Sequence, residues 1–220
     1  FIPVNQSSDL LDKGTGDFAE LASKGWSLLK EEVSFPAAVL SIAAINNNIV
    51  WMRSFAEQAG VKLAPHGKTT MAPKLFNQQI AMGCWAISLA TVPQVIAAYR
   101  SGIKRIILAN QLVGKRHFEL ISQLIKTGDL EFYCFVDSLD NAQQLEAFFS
   151  QQQLKINVLV EVGVEDGRCG CRGVAQAEQL AKSISNLNSL NLSGIAFYEG
   201  VIHGQNAVQK ITDFIDSINV

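Results

Sequence analysis

The sequence predicts an α/β fold in which a parallel sheet is covered by helices. Short, mostly apolar runs of strand length recur along the chain, and strands buried on both faces of a parallel sheet read in this near-continuous way. Amphipathic stretches separate them, and Gly60, Gly83, Gly102 and Gly128 stand where a helix stop belongs. Counted from Val61, about six strand–helix units follow one another, whereas a (β/α)8 TIM-type barrel has eight in ~250 residues. The 220 residues would then hold a portion of a barrel. An open doubly wound sheet is the competing architecture, because six units could complete it. No Gly-x-Gly-x-x-Gly follows an early strand, which weakens its dinucleotide-binding version.

Taken in order, residues 1–16 are polar, hold Gly14 and Gly16, and read as an extended lead-in. Residues 17–32 read as a helix with Phe18, Leu21, Leu28 and Leu29 as apolar contacts, and Phe35 to Ile42 as a strand. Ile45, Ile49, Met52, Ala56 and Ala59 then recur at helical spacing. A strand over 61–66 follows, and from there the pattern repeats. Helix 71–82 precedes strand 84–90, helix 92–101 strand 105–109, and helix 115–127, with Phe118, Ile121 and Leu124 inward, strand 131–136. Helix 139–152 leads to strand 156–162, helix 174–187 to strand 192–197, and a last helix covers 206–218. The expected division is 1–34 as lead-in and helix and 35–220 as the barrel portion. With Phe1 in place of an initiator Met and a helix running to the end, the chain is expected to be the amino-terminal part of a longer protein.

Composition narrows the function classes. Net charge is −2, and Lys and Arg are scattered, which gives nucleic acid no electrostatic footprint. The apolar runs fall far short of the ~20 residues that cross a bilayer, so no membrane is expected either. Cys84 and Cys134 fall in strand-like runs, where free cysteine is a small buried apolar group. Cys169-Gly-Cys171 lacks the spacer of common zinc knuckles and has no second pair, so no metal site is expected in this stretch. This cysteine usage fits a reducing cytoplasm.

The chemistry centres on Val61-Lys-Leu-Ala-Pro-His-Gly-Lys-Thr-Thr-Met-Ala-Pro73. Alternation puts His66 and Lys68 on one face if the strand persists, and Thr69 or Thr70 is expected to cap a helix entered through Ala72-Pro73. Lys68 so stands at the carboxyl end of a strand, where parallel α/β folds place their reactive groups. A solvated charge is the bland alternative. The other strand-end positions are Ala90-Thr91, Asn110, Asp137, Glu161 to Arg168, and Tyr198 with His203. Arg168 is read either as a site cation or as a partner of Glu165 or Asp166, and Tyr198 as a site phenol or a surface aromatic. Glu199 and His203 are weaker candidates.

Pro65-His-Gly-Lys-Thr-Thr-Met-Ala-Pro73 resembles the segment that carries the Schiff-base lysine in the D-serine dehydratase and D-threonine aldolase group, pyridoxal-phosphate enzymes with an alanine-racemase-like barrel. Glu161-Val-Gly-Val-Glu-Asp-Gly-Arg-Cys-Gly170 is similar to that group's fifth-strand loop, and Gly194-Ile-Ala-Phe-Tyr-Glu-Gly-Val-Ile-His203 to its sixth strand. The resemblance runs over about residues 35–204. It implies the barrel rather than the open sheet, pyridoxal 5′-phosphate on Lys68, Arg168 beside the cofactor's ring oxygen and Tyr198 toward its ring nitrogen. His66 either packs against the cofactor or is a hydrogen-bonded barrel histidine, and the first is preferred. The implied reaction is β-elimination of a D-β-hydroxy amino acid such as D-serine or D-threonine to a 2-oxo acid and ammonia. Retro-aldol cleavage and racemisation are the alternatives, and a non-catalytic cofactor carrier is a further one. The resemblance also implies a homodimer when full length, and a carboxyl-terminal β domain outside this chain that supplies a divalent metal. Thr70-Met71 departs from the group's usual His-Lys at those places and is closer to a subgroup of amino-acid deaminases.

Overall fold

The computed structural model describes residues 25–218. The chain divides between Asn48 and Ile49 into two units. In the first, the predicted helix over 17–32 falls partly outside the described residues. Its described part makes only a 3-10 turn, Leu28–Lys30, because Gly25 and Glu31 take left-handed φ angles of 62° and 59° that an α-helix cannot include. Leu28 and Leu29 are exposed, not inward. The strand expected over Phe35 to Ile42 is also absent. Ser41 starts a helix instead: its Oγ accepts from the Ala44 N–H at 3.3 Å and its carbonyl from the Ile45 N–H at 3.0 Å. That helix, α1, is Ile42–Ala59, with Ala56 buried and Gly60 left-handed just after it.

The second unit is built on a parallel sheet. Its strands are β1 (Ile87–Leu89), β2 (Arg105–Gln111), β3 (Glu131–Val136), β4 (Ile156–Gly163), the two-residue β5 (Cys171–Arg172) and β6 (Leu190–Phe197). β1, β2, β3 and β4 pair in that order, and β6 pairs with the other side of β4. β5 joins β4 at Val162 and Gly163, beyond the end of β3. Each long strand lies beside its predecessor with no reversal of order, whereas a doubly wound sheet needs such a reversal. The architecture is thus an α/β barrel portion of about six βα units.

The first of those units is less regular than the alternation over 61–66 predicts. Only His66 forms a bridge, with Ser88. The segment is held by the Trp85 N–H on the Leu63 carbonyl at 2.7 Å, the Ser88 N–H on the Pro65 carbonyl at 2.9 Å and the Gly67 N–H on the Ser88 carbonyl at 2.8 Å. Pro65 has no N–H to return to the neighbouring chain, so the ladder cannot extend. Cys84 correspondingly lies half-buried outside any strand, while Cys134 is fully buried in β3.

The helices between strands are α2 (Pro73–Ala81), α3 (Val92–Arg100), α4 (Lys115–Lys126), α5 (Leu139–Gln151), α6 (Val174–Ile184) and α7 (Ala207–Ile218). None of the described helices is long and apolar enough to cross a membrane. Contrary to expectation, α2 is not capped by Thr69 or Thr70. Ala72 occupies the cap without a side-chain bond, and Pro73 opens the helix because its missing N–H costs nothing there. Alternate strand residues face these helices: Ile106 and Leu108, Phe132 and Cys134, Val158 and Val160 are buried in one continuous core. Phe118 and Ile121 of α4 join it, and Phe118, Phe148 and Phe149 meet as three tilted or edge-on rings.

The opposite sheet face carries polar groups low in the strands. Arg105 pairs with Glu131, donates to the Trp85 carbonyl at 3.2 Å and lies 4.9 Å from the Trp85 ring centroid. Tyr133 donates to Glu131 at 2.6 Å, and burial followed by that carboxylate pushes its phenol up to about 12. Removing the Phe149 ring leaves a cavity inside the helix layer. Phe149→Ala should cost about 3–5 kcal/mol in urea unfolding, against less than about 0.5 kcal/mol for Val113→Ala at an exposed loop position.

Candidate active site

The turn that carries Lys68 is shaped by what lies beneath it. A Cβ on Gly67 would stand 2.6 and 2.7 Å from two atoms of the buried Phe76 ring and 3.2 Å from Ile87 Cγ2. Only glycine lets the chain descend onto α2 and β1 at that point. Its carbonyl then accepts from the Met71 N–H at 2.9 Å, with Met71 at a left-handed φ of 41°. The closed turn presents Lys68, Thr69 and Thr70 to the outside, at the carboxyl end of the segment bridged to β1. The Lys68 N–H also points back to His66 Nδ1 at 3.4 Å.

Three strands round from β1, the loop from β4 to β5 is tied to itself. Arg172 donates through Nη1 to the carbonyls of Cys169 at 2.8 Å and Gly170 at 3.0 Å, and through Nη2 to that of Gly167 at 2.6 Å. Asp137, at the end of β3, accepts from the Gly170 N–H at 3.0 Å. Gly163 and Gly170 touch backbone to backbone, where any side chain would collide. Arg168 projects from this loop, and its guanidinium carbon lies 5.1 Å from the Tyr198 ring centroid. Among the described residues it makes no ion pair with Glu165 or Asp166. Tyr198 follows β6 and is backed by Gly200, where a Cβ would come within 2.5–2.6 Å of the phenol ring and hydroxyl.

His66 connects the two halves electrostatically. Burial lowers its pKa first, the Lys68 charge lowers it further, a bond with the Ser88 backbone opposes this, and the Arg168 charge adds to the lowering. His66, Lys68, Arg168 and Tyr198 lie at or beyond the carboxyl ends of parallel strands or of the bridged segment, and so stand at one end of the sheet. Of the other strand-end residues, Asn110 donates to the Ala90 carbonyl at 3.3 Å, which ties two strand ends together. Glu199 opens a 3-10 turn, Glu199–Val201, and His203 is exposed beyond it.

Sequence reasoning reads Glu161 as an acidic strand end within a motif and gives it no role of its own; it is a buried carboxyl at the mouth, 7% exposed. Gln111 Nε2 donates to its Oε2 at 2.5 Å. Burial raises its pKa, the Gln111 bond opposes this, Asp137 adds to the rise, and Arg168 and Arg172 pull the other way. Glu161, Gly163, Gly167, Arg168, Cys169 and Tyr198 line one cavity. The signal available in the sequence was a lone acid inside the apolar run Ile156-Asn-Val-Leu-Val-Glu-Val162.

Residues 40–216 match the model of the alanine racemase N-terminal domain. The chain belongs to that family. It is 31% identical over 170 residues to a D-threonine aldolase of Arthrobacter sp., covering 77% of this chain and 44% of that protein. It is 27% identical over 135 residues to the D-threo-3-hydroxyaspartate dehydratase of Delftia sp., covering 61% and 35%. The crystal structure of D-threonine aldolase from Filomicrobium marinum superposes with a TM-score of 0.70 at 25% identity, over 74% of this chain and 44% of that one. The chain thus spans less than half the length of these relatives.

Two outcomes test the site's construction. Gly67→Ala should lose about 1–3 kcal/mol of stability by overpacking against Phe76, and Phe76→Leu in the same chain should recover part of it; urea unfolding of the two variants decides. The raised pKa of Glu161 means that the folded chain binds its proton more tightly than the unfolded one. That contribution is fully present below the unfolded value of ~4.3 and is lost as pH rises through the folded value. Glu161→Gln should abolish this fall, so stability measured from pH 4 to pH 7 should decline less in the variant.

Proposed function

We propose that this chain forms the cofactor-holding barrel portion of a pyridoxal-phosphate lyase acting on D-β-hydroxy amino acids, with elimination to a 2-oxo acid and ammonia as the reaction. The observation that carries this is the convergence of an amine, an imidazole, a guanidinium and a phenol on one rim of the sheet. That donor set fits the cofactor's own chemistry: an aldehyde needs an amine, a phenolic oxygen a cation, and a ring nitrogen a hydrogen-bonding partner. Lys68 would hold it covalently, Arg168 would face its ring oxygen and Tyr198 its ring nitrogen. Once bound, pyridoxal phosphate withdraws electron density from the substrate's α carbon and so eases the loss of a group from it.

The chain's residues supply the proton handling. With cofactor and substrate bound, the Lys68 amine would stand at the rim as the base that accepts the α proton at Nζ. His66, its pKa lowered by burial and by the Lys68 charge, is neutral at physiological pH and offers an uncharged ring against the cofactor. Arg168 contributes a fixed positive charge, and the Tyr198 phenol donates or accepts one hydrogen bond without the full charge a carboxylate would bring. In the elimination, the Cα–H and Cβ–O bonds break, the α proton taken up at Lys68 Nζ would leave with the hydroxyl as water, and tautomerisation of the freed enamine to the imine followed by hydrolysis would give the 2-oxo acid and ammonia.

A second reading is favoured by the 31% identity to a D-threonine aldolase. There the proton leaves the β-hydroxyl and the Cα–Cβ bond breaks, giving glycine and an aldehyde. For both readings a metal held by a further domain, and a homodimer, belong to the proposal for the full-length protein.

Borohydride reduction of the full-length protein with pyridoxal phosphate should fix label on Lys68. Lys68→Ala should lose both the label and at least about 10²–10⁴-fold in turnover. Label on a different lysine would refute the assignment. With D-serine and D-threonine, 2-oxo acid and ammonia would mark elimination, and glycine with aldehyde would mark cleavage.

A further inference from the structure

Arg172 has no part in the chemistry proposed above, yet its side chain donates to three backbone carbonyls of the loop that carries Arg168. β4 leaves the sheet after Gly163, and the chain comes back to pair with it there through Cys171 and Arg172 of β5. Within that excursion the carbonyls of Gly167, Cys169 and Gly170 all turn toward one guanidinium. Carbonyl oxygens gathered at one point repel one another, and a rigid cationic fork with several donors answers them where a neutral side chain cannot.

The fit is built from both sides. Gly163 makes the room, because a Cβ there would collide with Arg172 Nη1 and with the Cys169 carbonyl oxygen. The backbone of Arg172 is itself fastened to α6, whose Gln176 Oε1 accepts from the Arg172 N–H at 2.6 Å. Two of the three bound carbonyls flank Arg168. That of Gly167 belongs to the peptide ending at the Arg168 nitrogen, and Cys169 is the next residue along. Arg168 in turn makes no ion pair among the described residues, and its guanidinium rests near the Tyr198 ring. Its aim therefore depends on the backbone from which it starts, since backbone angles select the side-chain rotamer.

We propose that Arg172 is a positioning residue: by filling the three-carbonyl cage of its loop, it fixes the backbone that directs Arg168 over Tyr198. This deepens the function proposed above and rests on it for what Arg168 meets, the anionic ring oxygen of the bound cofactor. The bland alternative is a loop staple whose loss lowers stability and nothing else.

The first measurement uses the cofactor-free full-length protein with ¹³C-labelled arginine. The δ protons of Arg168 should be shielded by the Tyr198 ring, and Tyr198→Leu gives their resonance without that ring. Arg172→Met, which keeps an unbranched chain but no donor, should move the resonance most of the way to the Tyr198→Leu position. Arg172→Lys, whose single ammonium cannot serve all three carbonyls in one plane, should move it part of the way. An unmoved resonance in both variants would overturn the proposal, and so would a wild type already at the Tyr198→Leu position. The second measurement compares pyridoxal 5′-phosphate with its 3-deoxy analogue, which lacks the ring oxygen. Arg172→Met should bind pyridoxal phosphate about tenfold or more weaker and the analogue within about twofold of wild type. Equal effects on the two, including none, would mark a loop staple and overturn the proposal. Should Arg172→Met fail to fold by circular dichroism, Arg172→Lys carries both decisions, with a selective loss of about threefold or more expected. A wild type that takes no borohydride label at Lys68 would sink the functional reading alone, because the resonance measurement needs no cofactor.

Discussion

Everything at the rim depends on how the chain around Gly67 is pinned to Ser88. Two backbone bonds, Ser88 N–H to the Pro65 carbonyl and Gly67 N–H to the Ser88 carbonyl, flank a single bridge at His66. The Ser88 hydroxyl adds a third, to the Ala64 carbonyl at 2.9 Å. Pro65 prevents the ladder from continuing, so these few bonds and the contact of Gly67 with Phe76 fix where Lys68 emerges. Concentrating the anchorage at one residue has a structural benefit. The strand ends abruptly and the chain turns at once, which leaves the lysine on the rim and not along the sheet face.

The charges at the rim are arranged so that few stand alone. Burial favours the neutral form of His66, and the Lys68 and Arg168 charges push it further that way. Glu161 lies between a repelling Asp137 and two attracting arginines. Arginine suits this position because its planar fork can rest on the Tyr198 ring while keeping its edge for an anion. A lysine would offer a hydrated point charge with no plane to stack. The low polar network of Arg105, Glu131 and Tyr133 lies at the opposite ends of the strands, where barrel residues serve stability and not chemistry.

What the sequence made legible follows from which signals are periodic. β3 was predicted as Glu131 to Val136 and observed so, because its alternate buried residues and flanking glycine stop agree with one another. Helix ends shifted by a few residues, as fraying ends do. The failures lie where one local feature overrode a pattern. Phe35 to Ile42 is an apolar run of strand length, but the Ser41 hydroxyl begins a helix inside it. Residues 61–66 alternate, but proline denied them a ladder. Thr69 and Thr70 have the right chemistry for a cap, but the Gly67–Met71 turn consumes the space before the helix starts. Lys68, Arg168 and Tyr198 were singled out because each lies at or beyond the carboxyl end of a strand; Glu161 was read only as an acidic strand end, because its partner Gln111, 50 positions away, cannot be seen in the sequence.

The loop after β4 shows how a chain can obtain both rigidity and reactivity from one residue type. Arg168 and Arg172 are four positions apart, yet Arg172 spends its fork on the carbonyls of residues 167, 169 and 170. Those bonds close the loop on itself, and the Asp137 carboxylate fastens it to β3 through the Gly170 N–H. A loop tied at both points loses little entropy when a ligand arrives, because its order is already established. Arg168 inherits that order without contributing to it, which leaves its own donors for whatever the mouth binds. Exchanging the two arginines' surroundings would give a loop with a free cation but no frame to aim it. On the proposed function, this division of labour, more than the presence of two arginines, would let the mouth receive a planar anion-bearing ring.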